Sequence, residues 1–435
     1  MKNIYLIILI FCTHAINAQT MYVDGKDLYT NNGQKITLRG INYPIIDEGL
    51  GTLGNQAQYR MKIEEASKTG ANAIRIPWFT NGQHWLDIQN PGTIDGFVND
   101  GTLSDIISYS HQQGMIPILE LHDVTCSNNW DLFNTTIANW WKSQVILDLI
   151  EENKEYLIIN IANEFGYATW TGNTEQAMQI FQNNYSNLIN DLRQLGVDVP
   201  IMIDAPDCGQ SSSELLSIAE NMSENDPEHN LIFSAHAYWI SYANNQAAVQ
   251  AKLDEAQNTN VHFLLGEIAL SQDDGDGNCG AYDLTNLYPI ILNESCSRDI
   301  GWLAWTYTQD CHIPRQMTTN GMFDTLTAYG QNLVYNNEYG LINGGNCAAA
   351  PLAVVDVVSD ESMVNFSPNP AHSLIRLTQP EIIEKLTLTD ISGKIIYRSE
   401  SISETLDISF LSKGIYIIKI KTKQGNIQNL KLIKK

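Results

Sequence analysis

Two glutamates stand where a carboxylate is unfavourable unless it has a task. Glu164 closes the apolar run "YLIINIANE" that begins at Tyr156, and Glu267 closes "VHFLLGE" from Val261. An ionised acid taken out of water without a partner is strongly disfavoured, so two of them at the tips of hydrophobic runs call for a chemical reason. Cleavage of an acetal is one. It needs an acid for the departing oxygen and a carboxylate for the anomeric carbon, and in the retaining version the two groups lie about 5–5.5 Å apart. Arg75, in "NAIRIPW", is placed to hold Glu267 ionised, whereas partial desolvation without such a partner favours a protonated Glu164.

Other apolar runs also end on groups that do chemistry. His122 follows "MIPILEL", Asn163 precedes Glu164, Asp204 ends "VPIMID", His236 and Tyr238 end "LIFSAHAYW", and Trp305 ends "GWLAW". Each has a plain structural reading beside the chemical one. Asn163-Glu164 alone suits a helix cap or turn, Glu267 a salt bridge, and Arg75 an ion pair in a protein floor. Several titratable groups in equivalent places are harder to explain that way. A metal site built from His122 and His236 with Asp123 or Asp204 is the alternative chemistry, but neither H-x-H nor H-E-x-x-H occurs. Trp78, Trp130, Trp170, Trp239 and Trp305 all lie at or just past the ends of these runs. Aromatic faces there suit the flat C–H faces of sugar rings, and any one of them equally suits a core. The loop "DDGDGNCG" from Asp273 weakly echoes a calcium loop but lacks its glycine and terminal glutamate, so a solvated turn is the better reading.

The elements that position these groups repeat. Eight apolar runs start at Ile36, Asn72, Met115, Tyr156, Val199, Leu231, Val261 and Gly301. Between them lie stretches such as "QYRMKIEEASKTG" and "FQNNYSNLINDLRQLG", apolar every three or four residues and closed by glycine. Strands without polar alternation, separated by helices, pair in parallel and are covered on both faces. Eight such units predict a (β/α)8 TIM barrel, with an open doubly wound sheet as the alternative. In the barrel, strands four and seven face each other across the mouth, which brings Glu164 and Glu267 to one place. "MYVDGKDLYTNNGQ" before the first unit predicts a two-stranded hairpin closing the barrel floor. Beyond a linker over 346–362, residues 363–435 alternate with period two and turn at Gly393, Gly414 and Gly425, which predicts a small antiparallel β-sandwich. The expected limits are therefore 1–18 for a signal peptide, 19–345 for the barrel domain, and 363–435 for the sandwich.

Charge and cysteines set the address. The chain of 435 residues carries −24, yet 363–435 has 11 Lys and Arg against 6 Asp and Glu, leaving −29 on the remainder. A body so acidic does not bind nucleic acid through its phosphates. Lys2, the apolar run from Ile4 to Phe11 and "AINA" before Gln19 form a secretory signal peptide, too short to span a bilayer. Its removal takes one of 7 cysteines; the remaining even number in an exported chain favours disulfides.

As a set and in order, "LRGIN", "RIPW", "ELHD", "IANE", "HAYW", "GE" and "GWLAW" resemble glycoside hydrolase family 5, over roughly 21–343. The resemblance implies a retaining hydrolase with Glu164 as acid/base and Glu267 as nucleophile. It also implies Asn163 at the sugar 2-hydroxyl, His236 and Tyr238 in positioning, Arg75 and His122 around the catalytic pair, and Trp305 stacking in the cleavage subsite. "ILELHDVT", "LIINIANE" and "IMIDAPDCGQ" are similar to bacterial endo-β-1,4-mannanases, with endo-β-1,4-glucanase as the alternative. Two departures, Phe165 in place of tryptophan and "GEIAL" in place of a "GEFGH"-like run, fall at expected sugar subsites. The tail motifs "FSPNPA", "LTDISGKIIY" and "LSKGIYIIKI" resemble a type A C-terminal sorting domain of type IX secretion. A sugar-binding sandwich is the alternative for a tail that contains no tryptophan. No cofactor or metal is implied. The expected partners are a β-1,4-linked polysaccharide and the type IX machinery, with the enzyme a monomer, secreted or at the cell surface. On the barrel layout the expected disulfides are Cys279–Cys311, Cys126–Cys208 and Cys296–Cys347.

Overall fold

A computed structural model describes residues 20–80, 82–343, 364, 366–390, 394–399, 402–423 and 427–435. The expected signal peptide and linker lie outside the described residues. The chain divides into two compact units at residues 352/353.

The first unit is built on a closed barrel of eight parallel strands. They are β1 (Arg39–Asn42), β2 (Ala73–Trp78), β3 (Ile116–Leu121), β4 (Ile158–Asn160), β5 (Ile201–Asp204), β6 (Leu231–His236), β7 (His262–Ile268) and β8 (Gly301–Ala304). Pairing runs in chain order and closes through β8 against β1. One long helix follows each strand: α1 (Gln56–Ser67), α2 (Thr102–Gln112), α3 (Gln144–Asn153), α4 (Thr174–Gln194), α5 (Ser212–Asn225), α6 (Gln246–Asn258), α7 (Tyr288–Ser297) and α8 (Ala328–Tyr335). Asparagines start several of them. The side chains of Asn55, Asn173 and Asn245 accept hydrogen bonds from the backbone N–H groups of Ala57, Gln176 and Ala248, satisfying donors that a helix start leaves open. Gly70 and Gly196, the expected stops after α1 and α4, have φ of +82° and +91°, a conformation that side chains resist.

Strand periodicity explains how the barrel interior changes character along its axis. Successive side chains on a strand point to opposite faces. One inward set begins apolar, with Ala73, Ile118, Ile158, Met202, Ile232, Leu264 and Leu303 forming a core of their own. Two residues further along the same faces stand Arg75, Glu120, Asn160, Asp204 and Ser234, all fully buried. The outward set, including Ile74, Leu119, Ile159, Ile203, Phe233 and Leu265, belongs to the larger core beneath the helices. The expected hairpin at the start is a sheet of three strands, Tyr22–Asp24, Asp27–Tyr29 and Lys35–Ile36. The third strand was missed because it is only two residues long. Met21 and Leu28 enter the inner apolar cluster, so this sheet closes the end of the barrel away from the charged layer.

The second unit is a β-sandwich with antiparallel pairing between the strands of each sheet. One sheet holds Phe366–Ser367, Leu374–Leu377 and Thr405–Asp407; the other holds Ile383–Asp390, Ile395–Ser399, Gly414–Thr422 and Ile427–Lys434. Alternate residues Leu386, Leu388, Ile418 and Ile420 form its core, as period-two patterning requires.

Candidate active site

At the C-terminal mouth of the barrel one cation organises the charged layer. Arg75 is fully buried on β2. Its Nη1 donates to Glu267 Oε1 at 2.8 Å and to Asn42 Oδ1 at 3.0 Å. Nη2 donates to Asn163 Oδ1 at 2.7 Å and to Asp204 Oδ2 at 3.1 Å, and Nε donates to Asn160 Oδ1 at 2.9 Å. Glu120 Oε2 lies a further 3.7 Å from Nη1. Burial works against this charge, but the surrounding acids outweigh it and raise the Arg75 pKa above the ordinary value. Arg75→Met is expected to destabilise the fold by about 3–5 kcal/mol, because it leaves buried acids without their counter-charge. A shift of the chemical-unfolding midpoint measures this.

Glu267 owes its direction to a bulge. The pairing of β7 shifts register between Leu265 and Glu267 against β6, and between Leu265 and Ile268 against β8. Such an irregularity re-aims a side chain at a strand end. Gly266 sits in the shift, where a Cβ would stand 2.3 Å from Ser234 Oγ. Glu267 Oε2 accepts from the Tyr238 hydroxyl at 2.8 Å. His236 Nδ1 stands between the two acids, 2.7 Å from Glu164 Oε1 and 3.5 Å from Glu267 Oε2. One side-chain atom from each of Glu164, His236 and Glu267 lies within 4.8 Å of the others.

The two glutamates differ in setting. Glu267 is bound directly to Arg75 and Tyr238. Among the described residues no guanidinium contacts Glu164; burial raises its pKa, and His236 opposes that only in part. Glu267 beside it adds to the burial, so the His236 contact does not bring Glu164 back to its ordinary value.

Two shifts set how stability responds to pH. Burial would raise the Asp204 pKa, but His236 and Arg75 outweigh it and bring it from 3.8 to about 2. Burial would lower His236, but Glu267, Asp204 and the contact with Glu164 bring it from 6.5 to about 10. The Asp204 contribution is complete above pH 3.8 and lost as pH falls through about 2. The His236 contribution is complete below pH 6.5 and lost as pH rises through about 10. The melting temperature is therefore expected to be highest between these limits and to fall on the alkaline side. His236→Gln, neutral at every pH, is expected to remove that alkaline fall.

The remaining expected residues divide. His122 pairs through Nδ1 with Glu120 at 3.1 Å and stacks on Trp305, ring centres 5.6 Å apart. Asn163 Nδ2 donates to Thr125 Oγ1 at 2.9 Å. Trp305 is half-buried at the mouth, and its Nε1 donates to Asp310 Oδ2 at 2.6 Å. Trp170 is 50% exposed and lines a cavity of about 770 Å³ together with Glu164, Tyr167, Tyr238, Tyr242 and Tyr282. Trp78 and Trp239 need correction as sugar platforms: both are fully buried in the main core and present no face to a ligand. A tryptophan at a strand end points outward or inward by parity, which the quoted runs left open. Trp130 is half-buried against Phe133, Phe165, Phe181 and Tyr185. Phe165 is wholly buried, so that departure falls in the core and not in a sugar subsite. Asp123 accepts from the Thr80 N–H and hydroxyl, which ties the β2 loop to the end of β3.

Sequence reasoning missed Asn42, Glu120 and Asn160, each two residues beyond an inward apolar or small residue or paired beside Arg75. It also missed Arg315, which donates to Asp310 at 2.8 Å and to both oxygens of Asp273 at 2.8 and 2.9 Å. Asp310 in turn holds the Trp305 ring. Disulfides Cys279–Cys311 and Cys126–Cys208 form as expected. Cys296 is disulfide-bonded, and Cys347 lies outside the described residues.

Residues 29–310 match the family described as Cellulase (glycosyl hydrolase family 5), and residues 365–435 match the Secretion system C-terminal sorting domain. A mannan endo-1,4-beta-mannosidase of Salipaludibacillus agaradhaerens is 29% identical over 287 residues, 66% of this chain and 80% of that protein. One from Cellvibrio japonicus is 28% identical over 327 residues, 74% of this chain and 67% of that protein. The catalytic domain of a mannanase from Streptomyces sp. SirexAA-E shares the fold, with a TM-score of 0.60 at 22% identity over 80% of this chain and 99% of that one. With a buried pair of glutamates at the mouth of a closed barrel and most of its length matched, the chain belongs to glycoside hydrolase family 5 and carries a type IX C-terminal sorting domain.

Proposed function

We propose that the enzyme is a retaining endo-β-1,4-glycanase acting on mannan. The observation that carries the mechanism is the approach of Glu164 and Glu267, with side-chain oxygens within 4.8 Å and unlike surroundings. An inverting pair stands about 6.5–9.5 Å apart to admit water, and the retaining pair about 5–5.5 Å. Glu267, held by Arg75 and Tyr238, attacks the anomeric carbon. Glu164 gives its proton to the departing glycosidic oxygen, then as carboxylate takes a proton from the water that releases the glycosyl enzyme. His236 lies between the two acids and keeps them at fixed separation. Asn163, oriented by Arg75 and Thr125, meets the 2-hydroxyl, and Trp305 stacks under the sugar being cleaved. His122 backs that ring.

Mannan is favoured by the names of the aligned relatives. Glucan is the second reading, favoured by the cellulase family description. Product analysis on galactomannan, glucomannan and carboxymethylcellulose separates them: oligosaccharides from the first two support mannanase, and release from carboxymethylcellulose alone overturns it. In the same reading, residues 1–18 direct export, 19–345 form the catalytic domain, 346–362 the linker, and 363–435 the sorting domain recognised by the type IX machinery. The enzyme then works as a monomer outside the cell or on its surface.

A further inference from the structure

Glu164 lies between a histidine and a disulfide. Its Oε1 faces His236, but its Oε2 lies 3.2 Å from Cys126 Sγ, and that sulfur is bonded to Cys208. A disulfide sulfur carries no proton and no charge. Where it stands, it covers Oε2 with an atom that cannot donate a hydrogen bond to the carboxylate.

The bond also lies across the acid's own loop. Cys126 follows β3, Glu164 follows β4 and Cys208 follows β5, so the cross-link joins the loops on either side of the one that carries Glu164. All three residues have left-handed backbone, with φ of 54°, 52° and 52°, a conformation that is disfavoured outside glycine and persists only where the surroundings enforce it. Neighbours of both cysteines hold the acid's loop: Gly166 N–H donates to Ser127 O at 2.8 Å, the Tyr167 hydroxyl to Cys126 O at 2.7 Å, and Asp207 N–H to Gly166 O at 2.9 Å. Asp207 further accepts from Ala168 and Thr169 N–H at 2.8 and 2.9 Å. Beyond Cys208, Gly209 O accepts from His236 N–H at 2.7 Å, and a Cβ on Gly209 would stand 2.6 Å from the His236 ring. Cys126, Cys208, Gly209, His236 and Glu164 thus close a ring of contacts around one carboxyl. Both cysteines line the same 770 Å³ cavity as Glu164.

We propose that the Cys126–Cys208 disulfide is a positioning element for the acid/base: it fixes Glu164 and sets a sulfur that donates no hydrogen bond against its Oε2, so that the carboxyl holds its proton until the glycosidic oxygen departs. This rests on the assignment of Glu164 above. The charged and titratable groups around Glu164 are Arg75, His122, Asp204, His236, Tyr238 and Glu267, and beyond His122 and Asp204 the β3 and β5 loops contribute the disulfide.

The test compares C126A/C208A, C126S/C208S and Glu164→Ala on two substrates: the polysaccharide, and a dinitrophenyl β-glycoside of the same sugar, whose leaving group needs no proton. On the polysaccharide at alkaline pH, kcat/KM of the cysteine pairs is expected to fall about 10-fold, a fraction of the 10²–10⁴ that general-acid catalysis contributes. On the aryl glycoside the fall is expected to stay within about 2-fold. The alkaline limb of the pH profile moves toward acid, further for the serine pair, whose hydroxyl donates to the carboxylate and favours its ionised form. Equal losses on both substrates, or an unmoved limb, overturn the proposal and leave the bond a plain tether. If neither pair folds, the same two substrates are run on the intact enzyme after phosphine reduction, with reduced cysteines mapped by alkylation; the same limb shift is expected and its absence overturns the proposal. Failure of the Glu164 assignment is separate: Glu164→Ala then loses both substrates equally.

Discussion

Glu267→Ala is expected to remove nearly all turnover, on the order of 10⁴-fold or more, as loss of a covalent nucleophile does. The loss follows from geometry. Arg75 and Tyr238 bind one oxygen each of Glu267 and hold both against the pocket. On the proposed geometry alanine leaves an opening on the face of the sugar opposite Glu164, where the nucleophile stood. Binding of oligosaccharide is expected to survive, because the contacts proposed for Trp305, Asn163 and His122 do not involve Glu267. Added azide fills the opening as a surrogate nucleophile and is expected to restore cleavage of an activated aryl glycoside, with the α-glycosyl azide as product. Unchanged turnover in Glu267→Ala contradicts the assignment. A non-catalytic sugar-binding protein would have no turnover to lose.

Glu164→Ala has the second large effect, and its pattern differs. Polysaccharide cleavage is expected to fall about 10²–10⁴-fold, the range of general-acid catalysis. Formation of the glycosyl enzyme from an aryl glycoside with an acidic leaving group is expected to persist, since that group departs without a proton. Release of the intermediate then becomes slow because the base is also missing. Azide, which needs no base, is expected to accelerate it and give the β-glycosyl azide. The opposite stereochemistry of the azide products from the two variants assigns each acid to its step. A pH profile of Glu164→Ala that keeps its alkaline limb would place the proton donor elsewhere.

Much of this arrangement was legible in the sequence, because strand parity and apolar length are local properties. The eight runs, the order of their polar tips and the period-two tail are visible without coordinates. Arg75, His122, Asn163, Glu164, His236, Tyr238 and Glu267 converge because a closed ring of strands leaves them one rim to share. What stayed hidden depends on parity within a run or on contact between distant loops. Trp78 and Arg75 sit three residues apart on β2, hence on opposite faces, which sends the arginine inward and the tryptophan into the outer core. Glu120 shares the inward face with Ile118 and His122, yet in sequence it is one acid before a more conspicuous histidine. The bulge that aims Glu267 has only Gly266 as a local signal. Arg315, Asp310 and Asp273 are dispersed over loops, and nothing in their spacing announces that they brace Trp305 beside the Cys279–Cys311 bond.

The proposed mechanism depends on Glu164 and Glu267 flanking a single linkage at retaining distance. Proton NMR of the first products from a short β-1,4-linked oligosaccharide, recorded before mutarotation, reads this directly. A new reducing end that appears first as the β-anomer is the predicted result; the α-anomer appearing first would mean direct attack by water and would contradict the account.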